Sequence, residues 1–304
     1  MSYMVRFVTA LLLAALLAGC RAQPTPAGAA TAPNATSQEA GVTIVTTFYP
    51  MYIMALNVAG NVPGVAVVPM TQPTAGCLHD YALTTADRKN LDTADILIIN
   101  GAGMESFLDK VIEQKPQMPI VEASQGISLI EGGEASPNAH VWVSITDAMT
   151  QVRTIAEGLA QHDPAHADAY RANAAGYIAK LQALRDRMHA ALDGLPRRDI
   201  VTFHEAFPYF AREFDLNIAG VVEHEPGTEP SAKELSDTIE LVLELNIQAL
   251  FTEPQYPAKA AETIARETGS RVYQLDPAVT GDMDADAYLR AMEANMVVLQ
   301  EALK

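Results

Sequence analysis

Cysteine is nearly absent from this chain, which has two among 304 residues, at positions 20 and 77. Two thiols cannot build a four-cysteine zinc knot. With Cys20 committed to the N-terminus, no intrachain disulfide framework is left. Cations are also scarce. Twenty Lys and Arg stand against 37 Asp and Glu, for a formal charge of −17. Such a surface lacks the basic face that meets nucleic-acid phosphates and does not adhere to anionic lipid. Phosphate-cradling loops are missing too. Asn100-Gly101-Ala102-Gly103 has neither the GxGxxG spacing nor a Walker lysine, and reads as a turn. Nor does the chain carry an oxygen-rich calcium loop.

Hydrophobic residues, by contrast, make up 49% of the chain, enough for a packed globular core. The apolar run from Phe7 to Gly19 follows Arg6. It falls short of the about 20 residues of a bilayer span and fits the apolar region of a secretory signal. Its end, Leu17-Ala18-Gly19-Cys20, resembles the lipobox of bacterial lipoproteins. The expectation is a signal peptide over 1–19, a lipidated Cys20, and removal of one charge, taking −17 to −18. Residues 20–40 are rich in Ala, Pro and Thr and cannot bury a core, so they read as a tether.

From Val42 onward, short β-branched runs alternate with helical patterns. Strands are expected at Val42 to Phe48, Val65 to Pro69, Asp95 to Asn100 and Pro119 to Glu122. Helices are expected near Met51 to Gly60, Thr85 to Leu91 and Met104 to Glu113. Near-continuous apolar strands suit a parallel sheet covered on both faces. The alternation stops at Thr146, and no strand is evident before Leu192. Asp163-Pro164 has the composition of an N-cap with proline at the first helical position. Beyond it Tyr170, Ala174, Tyr177, Leu181, Leu184, Met188 and Leu192 recur every three or four residues, the stripe of one long helix. A second βα series follows, with strands at Asp199 to Phe203, Asn217 to Val222, Ile247 to Thr252 and Arg271 to Leu275. Ser231 and Glu234 form a capping box before a helix, and a final helix carries Tyr288, Met292 and Leu299. The fold class is α/β, with two four-stranded parallel lobes over 41–145 and 197–304 joined by a helical region over 146–196.

Open parallel sheets bind ligands beyond the carboxyl ends of their strands. His79, His204 and Asp276 occupy such places, and His140 lies in a loop after the fourth strand. Two come from each lobe, so a cleft between lobes could gather all four. Imidazole and carboxylate suit Zn²⁺ or Mn²⁺, but the spacing leaves open that the histidines are loop or hydrogen-bonded strand-end residues. His162, His166 and His189 belong to the wet side of the long helix, and His224 could line the cleft mouth. Cys77, two residues before His79, reads as a structural buried thiol rather than a ligand.

These segments resemble, from about Val42 to the C-terminus, the zinc/manganese substrate-binding lipoproteins of ABC importers. The resemblance rests on Leu78-His79-Asp80-Tyr81 with the following "ALTTADRKNLDTADILIINGAGMESFLDK", on "NAHVWVS", on "FHEAFPYFAREF" and on "TEPQYPAKAAETIARETGSRVYQLDP", in that order. It implies two α/β lobes on one rigid helix. It also implies metal ligands at His79, His140, His204 and Asp276, and a permease and its ATPase as partners of a monomeric, membrane-anchored receptor outside the cytoplasm. Histidine rather than glutamate at position 204 favours Zn²⁺ as cargo, with Mn²⁺ the alternative. Two departures sit at the site: Cys77-Leu78 where Asp-Pro is common, and Asn138-Ala139 where a proline is common. The long histidine-rich loop of some zinc members is missing.

Two other readings compete. A zinc-dependent hydrolase would use Glu205 as general base, but Pro208 stands where His-Glu-x-x-His has its second histidine. A surface lipoprotein with a role in cell adhesion would need no metal site at all.

Overall fold

The computed structural model describes residues 41–78, 81–132, 136–222 and 230–304. The signal, the tether, His79 and His224 lie outside the described residues. All eight expected strands form: β1 (Val42–Thr46), β2 (Val65–Pro69), β3 (Ile96–Ile99), β4 (Ile120–Glu122), β5 (Asp199–Thr202), β6 (Asn217–Val221), β7 (Ala249–Thr252) and β8 (Arg271–Gln274). Among the described residues they make two four-stranded sheets, ordered β2-β1-β3-β4 and β6-β5-β7-β8. Every pairing is parallel, with Val42 opposite Val65, Ile44 opposite Ile96 and Val201 opposite Leu250. The second sheet repeats the first, so each lobe has its chain reversal between the same two strands, β1/β3 and β5/β7.

The first lobe carries α1 (Tyr49–Ala59), α2 (Thr85–Asp92) and α3 (Asp109–Glu113). Residues Gly101 to Gly103 form the expected turn, with positive φ at all three. Between the sheets run α4 (Ile145–His162) and α5 (Ala167–Leu192). The latter has 26 residues, about 39 Å at 1.5 Å per residue. Its buried residues are the seven of the sequence stripe, Tyr170 to Leu192. The second lobe adds α6 (Pro208–Phe214), α7 (Ala232–Glu244) behind the expected Ser231/Glu234 capping box, α8 (Lys259–Thr268) and α9 (Ala287–Ala302).

Asp163 departs from expectation. Its side chain caps no backbone amide. Instead its carboxylate accepts from the Tyr170 hydroxyl at 2.6 Å and lies 2.7 Å from His166 Nδ1. It pins the bend between α4 and α5 through a buried phenol rather than through a helix N-terminus. Gly158 lets α4 settle onto β4, since a Cβ there would stand 2.6 Å from a Val121 methyl.

One hydrophobic cluster runs through both lobes and the helices between them. It includes Ile44 and Phe48 of the first lobe, Trp142, Tyr177 and Leu184 of the middle, and Phe210, Leu275 and Leu299 of the second. The two sheets are therefore not separate cores hung on a string. The first lobe's reversal point also holds a buried polar network. Glu105 accepts from Thr47 Oγ1 at 2.7 Å, Asn100 N at 2.7 Å and Gly101 N at 3.0 Å. Asn100 Nδ2 then donates to Ala139 O at 2.9 Å, and Gln151 Nε2 donates to Asn100 Oδ1 at 2.9 Å.

Burial pushes the Glu105 carboxyl up to about 7, while the donors from Asn100, Thr47 and Gly101 pull it down. The folded chain therefore holds this proton more tightly than the unfolded chain does. The stability this gives is full below pH 4.5, the ordinary value, and is lost as pH rises through about 7. Urea unfolding of wild type and Glu105→Gln from pH 5 to 8 should show the wild type losing up to about 3 kcal/mol relative to the variant. Parallel pH curves for the two proteins would remove Glu105 as the titrating group.

Candidate metal centre

His204 and Glu253 occupy equivalent places in the second sheet. His204 is the second residue after β5, and Glu253 directly follows β7, on the two sides of the reversal point. Strand ends at this point face away from the sheet into a crevice. Both side chains are buried, at 2% and 0% exposure. His204 Nδ1 lies 3.2 Å from Glu253 Oε1 and 3.4 Å from Oε2. A carboxylate on Nδ1 fixes the proton there and makes Nε2 the nitrogen that carries the lone pair. Gln255 Nε2 donates to Glu253 Oε2 at 2.6 Å and holds the carboxylate in place.

His140 arrives from the loop ahead of α4. Its backbone N–H donates to Asn138 Oδ1 at 3.0 Å, and its Nδ1 lies 3.1 Å from the same oxygen. An amide oxygen can only accept, so Nδ1 carries the proton and Nε2 again carries the lone pair. Asn138 is tied across the lobes: its Nδ2 donates to Glu205 O at 2.8 Å, and Tyr209 Oη donates to its carbonyl at 2.7 Å. Trp142 anchors the other end of the loop. Its Nε1 donates to Pro277 O at 2.8 Å, and its carbonyl accepts from Tyr288 Oη at 2.8 Å. The two imidazole rings meet edge to face, with centroids 4.7 Å apart and planes at 83°.

Of the four sequence candidates, His140 and His204 are brought together, and His79 lies outside the described residues. Asp276 follows β8 as expected, but its carboxylate is not among the atoms that converge on the histidines. Its Oδ1 accepts from Ala278 N at 2.8 Å, while Asn295 bonds both its backbone N–H and its carbonyl, at 2.8 and 2.7 Å. Burial, then the charge of Glu253, raises the Asp276 pKa against the pull of the Ala278 N–H. The third converging atom is the Cys77 sulfur, which the sequence reading set aside. Cys77 Sγ stands 3.5 Å from His140 Nε2. The ligand atoms of Cys77, His140 and His204 all lie within 4.8 Å of one another, the one such His/Cys/Asp/Glu group among the described residues. Burial, and the charge of Glu253, push this thiol well above its ordinary pKa.

Glu253 is the residue that sequence reasoning missed. Its signal was available, because an acid directly after a buried strand stands by the same rule that selected His204 and Asp276. Its distance to His204 is that of a carboxylate orienting a metal-binding imidazole. Glu253→Gln removes the charge and should weaken zinc binding by about 10–100-fold, measured by competition with a chromophoric chelator. An unchanged affinity would make Glu253 a structural acid only.

Comparisons with known proteins agree with this chemistry. Residues 44–302 match the family described as the periplasmic zinc-uptake complex component A, ZnuA. The high-affinity zinc uptake system protein ZnuA of Bacillus subtilis is 28% identical over 280 residues, spanning 86% of this chain and 87% of that one. The manganese-binding lipoprotein MntA of Halalkalibacterium halodurans is 27% identical over 295 residues, 94% of each. The solved structure of FpvC from Pseudomonas aeruginosa in complex with Mn²⁺ superimposes with a TM-score of 0.78 at 33% identity, covering 86% of this chain and 98% of that chain. No helix of the described residues is long and apolar enough to cross a membrane. The chain belongs to the zinc-uptake component A family, whose members are extracytoplasmic metal-binding receptors of ABC importers and not enzymes.

Proposed function

We propose that this chain captures Zn²⁺ in the cleft between its lobes and delivers it to an ABC permease powered by its ATPase. The observation that carries the reading is the pair of buried imidazoles, His140 and His204, each held through Nδ1 so that the ring's lone pair is on Nε2. His79 is the third nitrogen donor and Asp276 the carboxylate that the family resemblance supplies. Segments 41–145 and 197–304 act as the two jaws, with 146–196 as a spine. The continuous core through Tyr177, Leu184 and Leu299 supports a stiff spine, so that loops rather than whole lobes adjust to the ion. Three nitrogen donors favour Zn²⁺ over Mn²⁺, which binds more weakly to such a set and prefers oxygen. Mn²⁺ remains the alternative cargo.

The receptor works as a monomer held to the outer face of the membrane by a lipid on Cys20. The support for this anchor is the Leu17-Ala18-Gly19-Cys20 sequence and the core-less tether after it. Expressed in a bacterium, Cys20→Ala protein should move from the membrane fraction to the soluble fraction. Retention of the variant in the membrane would rule out the lipid anchor.

Cargo binding is tested by metal analysis followed by Zn²⁺/Mn²⁺ competition. One Zn²⁺ per chain is expected, displacing Mn²⁺, with binding lost in His140→Ala. Ligation needs neutral imidazole, so affinity should fall as pH drops through the imidazole range near about 6.5. Zinc affinity that is flat from neutral pH to about 5 would contradict histidine ligation.

A further inference from the structure

Cys77 comes from the loop after β2, His140 from the loop before α4 and His204 from the end of β5, so three separate segments bring donor atoms to one point. None of the three is held there by a shared helix or turn. The sulfur also stands at a telling distance. A tetrahedral zinc with Zn–S of about 2.3 Å and Zn–N of about 2.0 Å has an S···N edge of about 3.5 Å. Cys77 Sγ and His140 Nε2 are 3.5 Å apart. The thiol can take this position by donating its proton to the His140 Nε2 lone pair. The same approach brings sulfur and nitrogen to adjacent corners of one coordination shell.

We propose that Cys77 Sγ is itself a zinc ligand, bound as a thiolate beside His140 and His204. On binding, the Sγ–H bond breaks, the Sγ–Zn bond forms and the proton leaves to solvent; no electron is transferred. A divalent cation deprotonates a coordinating thiol outright. The Asp276 carboxylate, held outside the cluster by the Ala278 N–H, is a neighbouring charge. The inference rests on the zinc-receptor reading and revises one member of its ligand set. Its consequence is selectivity. Thiolate is a soft donor that suits Zn²⁺ and not Mn²⁺, so the residue before Leu78 becomes a determinant of which ion is carried.

The test uses the full chain carrying Cys20→Ala, which leaves Cys77 as its one thiol. Loaded with Co²⁺ as a spectroscopic substitute for zinc, it should show a near-ultraviolet thiolate-to-cobalt charge-transfer band. That band should vanish in Cys77→Ser and persist in Asp276→Asn. Cys77→Ser should also weaken Zn²⁺ by at least about tenfold, the lower figure for losing even an outer partner. Mn²⁺ affinity should change less, so the Zn²⁺/Mn²⁺ ratio falls. A cobalt complex with no sulfur band, or a Cys77→Ser protein with undiminished zinc affinity, would overturn the proposal while leaving a zinc receptor in place. A chain that binds neither Co²⁺ nor Zn²⁺ would overturn both readings together.

Discussion

The side chain of Asn138 holds the centre together. Its Oδ1 receives the backbone N–H of His140 and faces that residue's Nδ1, while its Nδ2 donates to the Glu205 carbonyl of the opposite lobe. Tyr209 adds a second bond to the same residue's carbonyl. Every one of these groups is buried or partly buried, where a missing partner costs about 1–3 kcal/mol. The loop therefore has one satisfied arrangement, and in that arrangement the His140 ring faces His204. A single amide sets tautomer, ring orientation and lobe contact at once. The position where a proline is common in the family is Ala139 here. Its carbonyl accepts from Asn100 Nδ2, so a hydrogen bond takes the place of the restraint that a ring would give.

The two lobes solve the same problem with different chemistry. At the first reversal point Glu105 gathers Thr47, Asn100 and Gly101 into a closed polar network that supports the His140 loop from below. At the second, Glu253 acts directly on the imidazole of His204. A buried acid thus stands beside the reversal point in both halves of a repeated topology. In one it reaches the His140 loop through two hydrogen bonds, by way of Asn100 and Ala139; in the other it touches the imidazole itself. One shared core through α4, α5 and α9 joins the two halves.

Most of the fold was legible because its signals are local. Apolar strands of four or five residues bounded by polar turns, the stripe from Tyr170 to Leu192 and the Ser231/Glu234 box each report on a few consecutive residues. Asp163 misled because Asp-Pro has the composition of a cap, yet the carboxylate found a better partner in Tyr170, a residue selected by packing. His140 and His204 were found by their places after strands and by the resemblance of their motifs. Glu253 was passed over although the same strand-end rule marks it, and Cys77 was set aside because what marks it is distance to a ring contributed by another segment. The sulfur of Cys77 and the nitrogen of His140 are 63 positions apart in the chain, and no periodicity links them.

The central claim is that one ion is held between the imidazoles of two lobes through their Nε2 atoms. Crystals of the zinc-loaded protein, measured at the zinc absorption edge, test it most directly. The account predicts one strong anomalous peak about 2.0–2.1 Å from Nε2 of both His140 and His204, with Asn138 and Glu253 still on the Nδ1 side. A peak bound through Nδ1 of either ring, or one lying away from the cleft, would contradict it.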